Sequence, residues 1–233
     1  MHSKVAQKNN SYCEKRYKTQ SYYNWVLLFN DIFILWYTII MKYHKDIFEI
    51  IFHARGGQGA KTAAEIIAQA AVNEGKFVQA FPQFGPERSG APTKTFVRIS
   101  DHEIRTHEPI TDPDVVVVLD ETILDSEIVT TNLDKNEALV VATKKTALEI
   151  SQKLSVRARF EGKIYPIDAN GISMEIVGQP RPNTVILGKF VQVTEIVSLE
   201  SVISEFKKIF GTKIGKEATD KNILAIEKAY DTI

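Results

Sequence analysis

The chain has 233 residues, enough for one domain of ordinary core size with a segment to spare. Its 29 basic residues balance 29 acidic ones, so it carries no general field to draw in nucleic acid, and 44 % apolar with 25 % charged residues excludes disorder for the bulk. The single cysteine, Cys13, excludes an internal disulfide, a paired-cysteine redox motif and a cysteine-ligated iron–sulfur cluster held by this chain alone.

Residues 1–40 differ in character from residues 41–233. They are rich in Lys, Asn, Ser and Tyr up to Tyr23, and then an apolar run, Trp25 to Ile40, is interrupted at its middle by Asn30 and Asp31. The run falls short of the roughly 20 residues that span a bilayer, and a central aspartate costs about 2.5–3.5 kcal/mol on insertion scales. No small-residue cleavage site comes after it, which argues against a secretory signal. The segment reads as translation from an upstream start, outside the fold; the alternative is an amphipathic or membrane anchor. Residues 41–233 read as one domain.

From Phe48 strands and helices alternate. Phe48–Phe52 is a buried strand. Ala60–Asn73 is a helix with Ala60, Ala64, Ile67 and Ala71 on one face, closed by Gly75. Phe77–Phe81 is a second strand, and the loop 82–92 holds too many glycines and prolines for regular structure. Thr93–Ser100 alternates as a strand, and after a turn at Asp101-His102 the segment Glu103–Thr106 is expected to pair back as a β-hairpin. Val115–Leu119 and Ala138–Ala142 are uniformly apolar, as strands buried on both faces of a parallel sheet are. A shorter strand, Lys163–Ile167, comes next, and the C-terminal part reads as helices over Thr184–Val197, Leu199–Phe210 and Lys216–Tyr230. This order implies an α/β fold of three layers, Rossmann-like, with a mainly parallel sheet.

The turn after the first strand, Ala54-Arg55-Gly56-Gly57-Gln58-Gly59, carries the strongest local signal. It is not a Walker loop, because Arg55 and Ala60 stand where that loop needs glycines. It fits a dinucleotide fingerprint with one departure, but no acid ends the second strand, which closes Val78-Gln79-Ala80-Phe81. Two readings stay open: a tight strand-to-helix turn in which glycine serves only backbone geometry, and an anion contact made by the Arg55 side chain and the amides of Gly56, Gly57, Gln58 and Gly59. In the loop Phe84-Gly-Pro-Glu87-Arg88-Ser89-Gly-Ala-Pro92, Arg88 can fork onto a phosphate or carboxylate while Glu87 orients it, or the two can form a structural pair or subunit contact. Both loops leave the carboxyl ends of strands, where open α/β sheets bind ligands.

Other polar residues say less. His53, at a strand end, reads as a packed histidine; His102 and His107 lie in turns or loops, and no His, Cys, Asp and Glu spacing suggests a metal. Asp120 and Glu121 read as carboxylates at a helix N-terminus. No nucleophile and base can be paired, so catalysis by this chain alone is not expected.

As a set, Arg55-Gly-Gly-Gln-Gly59, Gly75-Lys76-Phe77, Gln79-Ala-Phe81, the 84–92 loop, Val97-Arg-Ile99, Glu108-Pro109 with Asp112-Pro113-Asp114-Val115, and Pro182-Asn183-Thr-Val-Ile-Leu-Gly188 resemble the gamma subunit of the 2-oxoacid:ferredoxin oxidoreductases, the pyruvate synthase family. The departures are Ala54, where glycine is common, and the N-terminal extension. The resemblance implies one subunit of a cytoplasmic hetero-oligomer with alpha, beta and delta partners and no membrane or nucleic acid. That assembly decarboxylates pyruvate or a related 2-oxoacid, releases acyl-coenzyme A and reduces ferredoxin. The resemblance also implies that thiamine diphosphate, Mg and [4Fe–4S] clusters belong to the other subunits and that this chain acts in assembly, with its two loops, Arg55 to Gly59 and Glu87 to Ser89, expected to hold coenzyme A phosphates or gate its entry. The Gly85–Pro92 loop is more similar to pyruvate or branched-chain enzymes than to 2-oxoglutarate ones. A stand-alone nucleotide- or anion-binding α/β regulatory module is the rival reading.

Overall fold

The computed structural model describes residues 46–83, 90–156, 160 and 162–232. Strand β1 (Ile47–Arg55) runs through the middle of a six-stranded sheet ordered β2-β3-β1-β4-β5-β6. β4 (Val115–Val118), β5 (Ala138–Ala142) and β6 (Lys163–Ile167) extend from β1 in parallel, while β3 (Pro92–Ser100) and β2 (Phe77–Gln83) add on its other side in antiparallel order. The sheet is therefore mixed and mostly parallel, as the uniformly apolar Val115–Val118 and Ala138–Ala142 segments imply: every residue in both is buried.

Alternation along β1 assigns the two layers that flank the sheet. Phe52 points to one face, where its ring stands 6.1 Å from Phe190 of helix α4 (Pro182–Thr194). The same side holds α1 (Ala60–Asn73), which packs on β1, β2 and β3 and touches α4. Ile51 points to the other face and joins Val116, Val118, Leu139 and Val141 beneath Ile123 and Leu124 of a 3₁₀ helix (Glu121–Asp125) and Ile150 and Leu154 of α2 (Ala147–Ser155). α3 (Ala169–Ile176), α5 (Leu199–Ile214) and α6 (Lys216–Asp231) complete the helical side by packing on α4 and α1. The antiparallel half is tied by Arg98 of β3, 3 % exposed, which donates to Glu49 of β1 at 2.7 Å and to Gln79 of β2 at 3.0 Å.

The expected return hairpin at Glu103–Thr106 does not form; that segment is irregular, and the antiparallel hairpin is β2 with β3. Between Glu103 and Thr106 the single apolar residue is Ile104, too little to fill one face of a strand, and His107 instead reaches Gln79 of β2 at 2.8 Å. Helix α4 stops at Thr194 because Glu195 turns left-handed, at φ 51°. Two short helices appear that periodicity did not suggest. α2 opens with a reciprocal capping box between Thr146 and Glu149, and α3 with Asp168 accepting from the Gly171 amide.

Close packing of α4 on α6 depends on Gly188, since a β-carbon there would strike the backbone carbonyl of Ile226 and stand 2.9 Å from the amide of Tyr230. Gly188→Ala forces the two helices apart and is expected to cost about 1–3 kcal/mol, as overpacking does. Urea denaturation would show it as a lower midpoint at unchanged slope.

Candidate functional site

The register brings the carboxyl ends of four strands to one edge: His53 of β1 lies opposite Val118, Val118 opposite Val141, and Val141 opposite Pro166. After β1 the chain turns to the α1 side of the sheet, and after β4 to the opposite side under the 3₁₀ helix. Where neighbouring connections diverge in this way, a crevice opens beyond the strand ends. Here it has a volume of about 750 Å³ and is lined by residues of the glycine turn, the ends of β4, β5 and β6, and the start of α4.

The glycine turn is held from within. Gln58 accepts from the Arg55 amide at 2.8 Å and donates to Asp120 at 2.7 Å, so its side chain is a brace between the turn and the end of β4. The Gln58 amide closes on the Arg55 carbonyl at 3.0 Å, and the Gly56 amide donates to the Ala91 carbonyl at 2.9 Å. Gly57 and Gly59 take positive φ of 93° and 82°, a conformation that favours glycine. No atom lies within 4 Å of where a Gly57 β-carbon would stand, whereas one on Gly59 would come within 2.6 Å of the Asn183 side chain. That contact sets the start of α1 against the start of α4. Neither helix has a side-chain cap, with Gly59 and Arg181 at the two N-cap positions. In α1 the Ala60, Lys61 and Thr62 amides therefore have no partner inside the helix and face ligand or solvent, whereas in α4 Pro182 carries no N–H and the Thr184 amide is bonded to the Arg181 carbonyl at 3.1 Å, which leaves the Asn183 amide.

Of the residues expected from sequence, Gly57, Gln58 and Gly59 line the crevice. Arg55 and Gly56 stand beside it. The Arg55 guanidinium donates from Nε and Nη2 to Thr122 at 2.9 and 2.7 Å and from Nη1 to the Gly90 carbonyl at 3.1 Å, which leaves one N–H on each terminal nitrogen. Those bonds, with Gly56 on Ala91, bring Gly90 and Ala91 to the glycine turn at the edge of the sheet. Glu87, Arg88 and Ser89 lie outside the described residues.

Sequence reasoning missed Lys144, Lys145, Asp168, Arg181 and Asn183 as lining groups. The available signal was position, since Lys144-Lys145 comes one residue after a parallel strand and Pro182-Asn183 opens a helix. Lys145 pairs with Glu121 at 3.2 Å, and Lys144 stands 3.9 Å from Asp168. The Thr143 hydroxyl also donates to Glu121; that bond, against burial and with help from Lys145, holds the Glu121 carboxyl below the usual range. Asp120 caps the 3₁₀ helix by accepting from Thr122, the role read for it from sequence. Burial pushes its carboxyl up, but hydrogen bonds from Thr122 and Gln58 and the charge of Arg55 outweigh that and hold it low. His53 is buried; burial, then the charge of Lys94, pushes it down to about 3, so it stays neutral at ordinary pH. Among the described residues no His, Cys, Asp and Glu cluster could hold a metal, and no helix is long and apolar enough to cross a membrane.

The sequence model of the pyruvate ferredoxin/flavodoxin oxidoreductase family matches residues 49–232. The pyruvate/ketoisovalerate oxidoreductases common subunit gamma of Thermococcus kodakarensis is 48% identical over 183 residues, covering 78% of this chain and 95% of that relative. The crystal structure of pyruvate oxidoreductase subunit PORC from Thermotoga maritima superposes with a TM-score of 0.71 at 40% identity, over 80% of this chain and 97% of that one. The 2-oxoglutarate:ferredoxin oxidoreductase of Magnetococcus marinus, solved with 2-oxoglutarate, coenzyme A and succinyl-CoA bound, shares the fold, with a TM-score of 0.62 at 22% identity over 80% of this chain and 31% of that one.

Asp120→Asn weakens the acceptor for Gln58, Thr122 and Arg55 and is expected to cost about 1–3 kcal/mol of stability at neutral pH. A carboxylate depressed by folding contributes stability above its unfolded pKa, about 3.9, and loses it as pH falls through the lower folded value. The gap between variant and wild type should therefore be full at neutral pH and close in acid below the ordinary carboxylate range, a comparison that paired urea titrations make directly.

Proposed function

From the premise that this chain belongs to the pyruvate ferredoxin/flavodoxin oxidoreductase family and is a gamma subunit of such an oxidoreductase, we propose that its crevice holds the phosphate end of coenzyme A. The enzyme it serves converts pyruvate or a branched-chain 2-oxoacid, coenzyme A and oxidised ferredoxin to acyl-coenzyme A, carbon dioxide and reduced ferredoxin. Alpha, beta and delta subunits supply thiamine diphosphate, Mg and [4Fe–4S] clusters in a cytoplasmic assembly. The sequence fits that division of labour, because one cysteine, Cys13, cannot ligate a four-iron cluster.

The observation that carries the coenzyme A reading is the meeting of two uncapped helix N-termini, α1 and α4, over one crevice. Anions are favoured at such ends, and Lys144 and Arg181 add full charges on the same lining. Gly57 and Gly59 let backbone amides approach a phosphate with no β-carbon between. Arg55 contributes its two remaining N–H groups and holds the turn to Thr122 and Gly90. Arg88 and Ser89, with Glu87 orienting the arginine, extend the contact from the neighbouring loop. The residues of this chain bind and orient the phosphates and leave the thiol end for the centre carried by other subunits. The Magnetococcus marinus enzyme, which contains this fold, was solved with coenzyme A bound.

Steady-state kinetics of the whole complex test this. Lys144→Ala, Arg181→Ala, Arg55→Ala and Arg88→Ala should each raise the KM for coenzyme A by about tenfold, the worth of one charged hydrogen bond, with the KM for the oxoacid unchanged. An unchanged coenzyme A KM in all four would contradict the proposal.

A further inference from the structure

A second concavity, of about 590 Å³, lies beside the crevice where α3 ends and α5 turns into α6. Its floor is apolar: Val177, Phe206, Phe210 and Ile214 line it, with the two phenyl rings 4.9 Å apart. Ile214 is 40% exposed on its rim, and the Lys213 ammonium rides 5.8 Å over the Phe210 ring. Arg181, Lys216 and Lys221 line it against a single carboxylate, Glu217, which is tied to Lys221 at 2.7 Å. In a chain with no net charge this is a local excess of positive charge around an apolar centre. An apolar core inside a polar, charged rim is the anatomy of a protein–protein contact.

We propose that this groove docks a segment of another subunit of the same enzyme, one that seats an apolar side chain between Phe210 and Ile214 and sets carboxylates against Lys216 and Arg181. The inference rests on the gamma-subunit reading. Charge complementarity selects the occupant: burying Arg181 and Lys216 against neutral or basic chain would strand their charge, whereas an acidic segment satisfies both. The apolar floor supplies the part of the binding that salt does not screen, since Phe210 and Ile214 leave water only when something covers them. The groove shares Arg181, Asn183 and Phe210 with the crevice, so an occupant also closes one wall of the coenzyme A site.

The test co-expresses all subunits with the gamma chain as wild type, Ile214→Asp, Lys216→Glu or, as a control on the opposite side of the sheet, Leu148→Asp of α2. Native size exclusion reads how much gamma chain stays with its partners at low and at high salt. Wild type and Leu148→Asp should co-elute with the complex, while Ile214→Asp and Lys216→Glu should each lose about tenfold in retained gamma chain, and Lys216→Glu should worsen less than wild type as salt rises. Both substituted residues are exposed, and thermal melting of the isolated variants at the wild-type temperature excludes a folding defect. Full retention of both variants would overturn the inference while leaving the gamma-subunit reading intact; failure of wild type itself to co-elute would count against that reading. A dimer of the isolated chain that the two variants dissolve would assign the groove to a second copy and likewise overturn the inference.

Discussion

The hydrogen bond from Gln58 to Asp120 fixes the carboxyl edge of the sheet. It crosses from the turn after β1 to the end of β4, the two strands whose onward connections leave on opposite faces. One glutamine side chain satisfies an amide of its own turn and a carboxylate of the neighbouring strand, so the turn cannot move without the 3₁₀ helix moving too. Arg55 adds a second strap to Thr122 and to Gly90, and Gly56 a third to Ala91. A turn held this way keeps its remaining amides aimed in one direction, which is the preorganisation an anion site needs.

Electrostatics then depend on which helix ends are finished and which are not. α2, α3 and α5 each begin with a side-chain cap from Thr146, Asp168 and Ser198. α1 and α4, the two that meet at the crevice through Gly59 and Asn183, have none. α6, with Gly215 at its N-cap, also lacks a side-chain cap, but it starts away from the crevice, so the first-turn amides of α1 and Asn183 of α4 are the uncapped ones at that cavity. The acidic groups nearby do not cancel this, because Asp120 and Glu121 spend their charge on Gln58, Thr122, Thr143 and Lys145.

Much of this was legible in the sequence. Helix Ala60–Asn73 and strands Ala138–Ala142 and Lys163–Ile167 fall where apolar periodicity and runs put them; in Ala138–Ala142 burial of every residue leaves no polar residue to blur the boundary. α2 was missed although it carries a capping box and an Ile150–Leu154 pair, since nine residues give the helical period too few turns to declare itself. The hairpin at Glu103–Thr106 failed for the opposite reason: alternation over four residues is weak, and tertiary contacts took the segment elsewhere. At the site, the glycine turn was visible as a local motif. The inward role of the Gln58 side chain and the arrival of Arg181 and Asn183 were not, because both depend on contacts between residues far apart in sequence.

Backbone hydrogen exchange of the assembled enzyme with and without coenzyme A tests the central claim most directly, because it watches the amides said to hold the ligand. The account predicts slower exchange at Gly57, Gly59 and the first turn of α1, and at Asn183 at the start of α4, with the Ala147–Ser155 helix unchanged. Exchange that coenzyme A leaves untouched at both helix starts would contradict it and return the glycine turn to a purely structural role.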